Sequence, residues 1–331
     1  MLRGRRTLTV TVSVAAALAA VACGGPSTTP PPPAGGGPTS AAAPTPDKPV
    51  VADAGDILGD RPLFGVMLKN RTPQAVDAIE RSVDCRPSVV KVFTSVQGGI
   101  SARTLEDLPG TPLLSLEPWT TGRNQHQPEW KLGHTLDGTY DDQYAEIARA
   151  VVAYRKPILI RWAHEMNGHW YPWGTDNDNR PGEYPAAFRR VVKLFRDLGA
   201  TNAVWVWAPN IVRGTASGTI KEFWPGADYV DVVGPTGYAI RESSPSVTFR
   251  DTLDQIYALT DKPVLLTEVG VEPGPQKRAW LAAFGPWLRE NPRIAGFVWN
   301  QVNRDGRWSF DDTPADLVAF RTGLARSGVA C

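Results

Sequence analysis

Along residues 63–300, short β-branched and aliphatic runs alternate with longer segments whose apolar positions recur at helical spacing. The runs are Leu63–Leu68, Val89–Phe93, Pro112–Leu116, Pro157–Trp162, Ala203–Ala208, Val230–Gly234, Pro263–Thr267 and Ala295–Asn300. Most are apolar without alternation, as expected of strands covered on both faces. Between them the spacing predicts helices over Pro73–Ser82, Asp142–Tyr154, Pro185–Leu198, Phe249–Leu259, Pro275–Glu290 and Pro314–Ser327. Gly199 caps the third of these. Ser101–Leu108 predicts a short helix, and the segment before Tyr229 a weak one. Strands alternating with helices in this way predict an α/β chain folded as a single (β/α)8 TIM barrel. An open doubly wound sheet is the alternative. It would need a Gly-rich phosphate loop after the first strand, and Met67-Leu68-Lys69-Asn70 is not one.

Two segments precede the barrel. Residues 1–22 read as a signal peptide, with Arg3, Arg5 and Arg6 ahead of the apolar run Thr7–Ala22. The ending Ala20-Val21-Ala22-Cys23 resembles a bacterial lipoprotein signal, which would make Cys23 the lipidated first residue. An ordinary cleaved secretory signal is the alternative, and both export the chain. Residues 23–48 form a Pro-, Ala-, Gly- and Thr-rich linker that cannot bury a core. The folded domain is then expected over residues 49–331.

Of 35 Lys plus Arg and 34 Asp plus Glu, only Arg3, Arg5, Arg6, Lys48 and Asp47 precede the domain, leaving 31 basic against 33 acidic. No basic stripe marks a nucleic-acid partner. The membrane is expected to be met only through a lipid on Cys23, and the domain to be a monomer. Cys85 and Cys331 are the two cysteines left in the exported domain. An even pair outside the cytoplasm suggests a disulfide, with two free thiols as the alternative. In a closed barrel the last helix lies beside the first, so this bond would staple the closure.

Barrel enzymes build their sites at the C-terminal ends of the strands. Here those ends carry Glu117-Pro118-Trp119, His164-Glu165, Pro209-Asn210, Gly237-Tyr238, Glu268 and Trp299-Asn300. Glu165 and Glu268 end the fourth and seventh strands. Two carboxyl groups in different environments supply the acid and the nucleophile or base that cleave an acetal. The plainer reading makes each Glu a buried ion pair with a strand arginine such as Arg161. Eight of the twelve tryptophans lie near strand ends or the loops after them, Trp119, Trp170, Trp173, Trp299 and Trp308 included. Indole faces suit the flat C–H faces of pyranose rings. A zinc reading of His164-Glu165 with His169 fails on spacing. Residues five apart diverge by ~140° on a helix. A metalloenzyme would also need more strand-end ligands than four histidines supply, with His126 and His134 in the loop after the third strand. No metal and no cofactor are expected.

The stretch Arg161-Trp162-Ala163-His164-Glu165-Met166-Asn167-Gly168, followed by Trp170-Tyr171-Pro172-Trp173-Gly174, resembles the signature of glycoside hydrolase family 26. Leu266-Thr267-Glu268-Val269-Gly270 fits the same family less specifically. The resemblance implies a retaining endo-β-glycanase. Glu165 would be the acid/base and Glu268 the nucleophile. Tyr238 would donate a hydrogen bond to Glu268, and Arg161 could hold Glu268 charged. His164 would contact the acid or substrate hydroxyls, and Trp299 would floor the −1 sugar site. Trp119, Trp170, Trp173, Glu117 and Asn210 complete the expected substrate-binding set. The family acts on β-linked polysaccharides: most members on β-1,4-mannan, others on mixed-linkage β-glucan or β-1,3-xylan. Mannan is expected here on the family's habit, although Glu117-Pro118-Trp119 and His-Glu-Met-Asn-Gly look more like the glucanase branch; a mixed-linkage β-1,3-1,4-glucanase or an exopolysaccharide hydrolase of the same family is the alternative. The rival of another class is a sugar-binding lipoprotein without catalysis, which should have lost a carboxylate. Neither Glu165 nor Glu268 is missing.

Overall fold

The computed structural model describes residues 50–331 apart from 175–176, 214–218 and 304–305. The signal, the linker with Cys23, and Pro49 lie outside the described residues. Nine strands form one parallel sheet: β1 (Leu63–Met67), β2 (Val89–Ser95), β3 (Thr111–Glu117), β4 (Ile158–Trp162), β5 (Ala203–Trp207), β6 (Val232–Val233), β7 (Thr236–Ala239), β8 (Val264–Val271) and β9 (Ile294–Asn300). The sheet closes on itself, β1 pairing with β2 and β9, and Val233 of β6 pairing with Val264 of β8. β6 and β7 are two halves of one stave, broken at Gly234-Pro235, where proline has no N–H for the ladder. The barrel therefore has eight staves. Its sixth is split, where the sequence predicts one unbroken strand over Val230–Gly234.

Three of the outer helices start in one way. Thr72, Ser244 and Thr313 each accept a backbone N–H from the first turn, with proline next in the chain. One expectation needs correction. The weak helix before Tyr229 is only the 3₁₀ turn Ile220–Phe223. The long segment after β3 carries a short helix, Leu132–Leu136, and a 3₁₀ turn, Pro128–Trp130, whose Trp130 stacks on Tyr140 at 4.1 Å. Cys85, just past the first full helix, is bonded to Cys331, just past the last.

Two apolar layers hold the barrel. Bulky side chains face the helices, while Leu63, Val89, Leu113, Leu159, Val204, Val232, Leu265 and Val298 fill the interior, with Leu58 closing its lower end. Side chains alternate along a strand, so the next inward positions are two residues on. They are Lys91, Ser115 and Arg161, all fully buried, followed by Glu117 and Asn300. Unpaired charges in such a place would cost several kcal/mol each, on the order of a whole domain's stability. This polar storey must therefore satisfy itself, and that requirement positions the site.

Candidate active site

Glu268 is the hub. Its Oε1 receives Lys91 Nζ at 2.6 Å and Arg161 Nη1 at 2.8 Å, and its Oε2 receives the Tyr238 hydroxyl at 2.6 Å. Asn300 Nδ2 donates to that hydroxyl at 2.8 Å and so aims it at Glu268. A register shift in β8 between Leu266 and Val269 turns Glu268 into this network. Burial pushes its carboxyl up, but the Lys91 ammonium, the Arg161 guanidinium and the donated hydrogen bonds outweigh burial and bring it down to about 2. Glu268 is a fixed carboxylate.

Glu165 is opposite in character. It sits just past β4 at φ 56°, two residues after Ala163 at φ 44°. Such left-handed backbone costs an L-residue roughly 1–2 kcal/mol and persists where the surroundings impose it. They do here: Ala163 N bonds Leu116 O, Glu165 N bonds Ala208 O, and Gly168 N bonds Glu165 O. Asn167 and Asn210 lock the same turn through reciprocal side chain–backbone bonds of 2.9 and 2.8 Å. Gly168 is required because a Cβ there would lie 2.4 Å from the Trp170 ring. That close approach lets Trp170 Nε1 donate to Glu165 Oε2 at 2.7 Å. Burial, then the Glu268 charge, raise the Glu165 carboxyl; Arg161, 3.9 Å away, opposes them weakly. Glu165 holds its proton more tightly than an ordinary glutamate.

One oxygen from each of Glu165 and Glu268 and a ring nitrogen of His164 lie within 4.8 Å of one another. Three such donors could in principle hold a metal ion. The two cations already on Glu268 would repel a third, so this donor set suits a divalent ion poorly. His164 is buried, and burial followed by Arg161 and Lys91 holds its pKa well below the ordinary range, so it is neutral. Its Nε2 lies 3.1 Å from the Tyr171 hydroxyl and 3.8 Å from Glu117 Oε1. Glu117 accepts Trp119 Nε1 at 3.2 Å, and burial pushes its carboxyl up to about 7. Trp119 meets Tyr171 edge-on, and His169 lies edge-on to Trp170 outside the carboxylate cluster.

Several expected sugar contacts fall elsewhere. Trp299 is fully buried on the outward face of β9, against Trp280, Phe284 and Phe320, and its Nε1 bonds the Trp308 carbonyl. It cannot floor a sugar site. Trp308, in the following loop, is a part-exposed indole beside Tyr238, the partner of Glu268. Its ring lies 4.6 Å from that of Tyr238, and its Cβ is packed close to Gly270. Trp173 is likewise buried, stacked on Tyr171 at 4.4 Å and donating to the His164 carbonyl. It supports the loop and does not touch substrate. Arg161 is fully buried beneath the carboxylates, so it serves them and not a sugar. Asn210 acts through its backbone. Trp170, Trp119, Glu117, Tyr238 and His164 do gather round Glu165 and Glu268.

Sequence reasoning missed Lys91 and the part of Thr236, whose hydroxyl accepts Arg161 Nη2. A lysine inside the apolar run Val89–Phe93 was the available signal for the first. Two cavities in the described structure lie away from this cluster. One of about 390 Å³ adjoins the disulfide, and one of about 260 Å³ lies by Lys277 and Asp312. Neither brings together an acid and a nucleophile, so chemistry and not volume locates the site.

The sequence model of glycosyl hydrolase family 26 matches residues 70–277, more than half of the chain. The chain belongs to glycosyl hydrolase family 26. It is 28% identical over 227 residues to Endoglucanase H of Acetivibrio thermocellus, covering 64% of this chain and 24% of the relative. It is 33% identical over 120 residues to a mannan endo-1,4-beta-mannosidase of Bacillus subtilis, covering 34% and 30%. A beta-1,3-xylanase of Vibrio sp, TXYA, is 25% identical over 201 residues, covering 53% and 42%. The chain thus spans about a quarter to two-fifths of the length of these relatives. The solved GH26 beta-mannanase of Bacteroides ovatus shares the fold, with a TM-score of 0.63 at 19% identity, over 82% of this chain and 92% of that one.

Proposed function

We propose that this family 26 protein is a retaining endo-β-glycanase acting on β-1,4-mannan. The observation that carries the reading is one pair of groups: an ionised Glu268 and a proton-retaining Glu165 within 4.8 Å. Retaining enzymes hold their carboxyl groups about 5–5.5 Å apart, and inverting ones ~6.5–9.5 Å to admit a water. Glu268 attacks the anomeric carbon while Glu165 protonates the departing oxygen, giving a glycosyl ester on Glu268. Glu165, now a carboxylate, takes a proton from water as the water attacks, and the electron pair of the C–O bond returns to Glu268. Trp308, Trp170 and Trp119 supply apolar surface for sugar faces. Glu117 and the neutral His164 supply partners for hydroxyls.

Mannan follows from the mannan endo-1,4-beta-mannosidases among the relatives. Mixed-linkage β-glucan is the second reading, favoured because Endoglucanase H covers more of this chain than either of them. The test is reducing-end release from β-mannan, mixed-linkage β-glucan and β-1,3-xylan, with Glu165→Gln and Glu268→Ala beside the wild type. Release from one polymer, lost in both variants, is expected. A folded wild type silent on all three would leave the sugar-binding reading. We infer also that the protein is exported, is anchored through Cys23 and acts as a monomer. The Cys85–Cys331 bond supports export, since such bonds persist in oxidising compartments. The mass of the mature N-terminus, and the mass of the particle in solution, test these points.

A further inference from the structure

Two cations meet on one oxygen of Glu268, and they are not equivalent. Arg161 reaches both carboxylates, 2.8 Å to Glu268 and 3.9 Å to Glu165. When the glycosyl ester forms, negative charge leaves Glu268 and appears on Glu165. Arg161 lies between the two and keeps a partner in either state. Lys91 does not. It is fully buried, and its Nζ contacts Glu268 Oε1 at 2.6 Å, the Thr267 carbonyl at 3.2 Å and the face of Phe93, 4.7 Å from the ring centre. Among the described residues Glu268 is the only carboxylate in direct contact with it. The other charged or titratable groups bearing on it are Arg161, Glu165, Glu117 and His164, from β3, β4 and the turn after β4. The ester state therefore leaves a buried ammonium facing an uncharged oxygen.

We propose that Lys91 is a positioning residue for the second half of the reaction: by contacting Glu268 alone, it favours the free carboxylate over the glycosyl ester and so drives turnover of the intermediate. This rests on the retaining reading above. The step balances without a further reagent. Water adds to the anomeric carbon, Glu165 takes its proton, the bond from that carbon to Glu268 breaks, and the electron pair stays on the carboxylate that Lys91 then holds. Burial, and then Arg161, already bring the Lys91 ammonium down to about 7 while Glu268 is charged. Loss of that charge in the ester lowers it further.

The test uses 2,4-dinitrophenyl β-mannobioside and β-cellobioside. These need little acid help to form the ester, so its breakdown is exposed. In Lys91→Met, kcat and KM should fall together by about tenfold or more, with a burst of dinitrophenolate approaching one equivalent. The acidic limb of kcat/KM should move up by about 1 pH unit or more, because a cation beside Glu268 is gone. Lys91→Arg, which keeps the charge, should restore kcat and abolish the burst. A fall in kcat/KM with KM unchanged, no burst and an unmoved acidic limb would overturn the proposal. Should the variants fail to fold, the wild type decides. The carbon-13 signal of the Lys91 ε-carbon should titrate at lower pH in enzyme trapped with a 2-deoxy-2-fluoro glycoside than in free enzyme. An equal or higher titration point would overturn the proposal. Failure of wild type to release dinitrophenolate or to gain the mass of the trapped sugar would sink the retaining reading itself, and the Lys91 role with it.

Discussion

Glu117→Gln should make the protein more stable, and only at neutral to alkaline pH. Glu117 ends β3 at 6% exposure, with Trp119 Nε1 on one oxygen. Burial raises its carboxyl from 4.5 to about 7, and the Trp119 bond, Arg161 and Lys91 only partly offset this. A carboxyl whose folded value exceeds its unfolded one binds more protons when folded. Its stability contribution is therefore intact below pH 4.5 and is lost as pH rises towards 7. About 2.5 units at ~1.4 kcal/mol each give a penalty of roughly 3 kcal/mol above that window. Glutamine keeps an oxygen for Trp119 and cannot ionise. Urea and thermal melts of both proteins at pH 4 and pH 8.5 make the comparison. The variant should match wild type at pH 4 and exceed it by about 3 kcal/mol, or about 6–10 °C in Tm, at pH 8.5. A stability difference that does not change with pH would refute the assigned protonation. The same substitution should lower activity, since Glu117 faces the cluster beside His164.

Replacing Cys85 and Cys331 by serine frees a loop of 246 residues. Unfolded-chain entropy sets the expected loss at about 2–5 kcal/mol, read as a lowered Tm with activity at 25 °C preserved. Ala330 N and Arg61 Nε still tie the C-terminal segment to the barrel through Pro62 and Gly328, so it should stay protected in hydrogen exchange. Trp299→Ala should cost about 3–5 kcal/mol of stability, as a core deletion. Trp308→Ala should leave Tm nearly unchanged and lower kcat/KM by about tenfold or more, which steady-state kinetics on the polymer would show. Trp170→Phe removes a bond that stabilises charged Glu165, so the Glu165 pKa should rise and the basic limb of kcat/KM should move alkaline by up to about 1 unit.

The barrel and its pair of strand-end glutamates, Glu165 and Glu268, are legible in the sequence because each is a local signal. Eight apolar runs separated by helical spacing need no tertiary information, and the His164-Glu165 turn is contiguous. What failed were questions of facing. Strands buried on both sides show no polar alternation, so nothing in Phe297-Val298-Trp299-Asn300 says which side Trp299 takes. The interior parity of Val298 and Asn300 decides it, and Trp299 goes to the helices. Trp308 takes its place only because the loop after β9 folds back over Tyr238 and Gly270. Trp173 departs from its sequence signal for another reason. Its loop is polar and broken by Gly and Pro, which suggests exposure, yet stacking on Tyr171 and a bond to the His164 carbonyl bury it. The split sixth stave follows from Pro235, whose missing N–H interrupts the ladder between β6 and β7.

Lys91 and Arg161 were both present as charged residues within apolar runs, and together they explain why similar carboxyl groups do different work. Three glutamates, at 117, 165 and 268, share one buried storey with Lys91 and Arg161. Had those cations been spread evenly, all three carboxyls would titrate alike and none would be a distinct acid. Geometry instead directs both to Glu268, at 2.6 and 2.8 Å, and leaves Glu165 with Arg161 at 3.9 Å. Attraction wins over burial at Glu268, and burial wins at Glu165 and Glu117. The strand parity that places Lys91 and Arg161 inward is therefore what separates the ionised Glu268 from the proton-retaining Glu165. Moving either charge by one residue along its strand would turn it to the helix layer and erase that distinction.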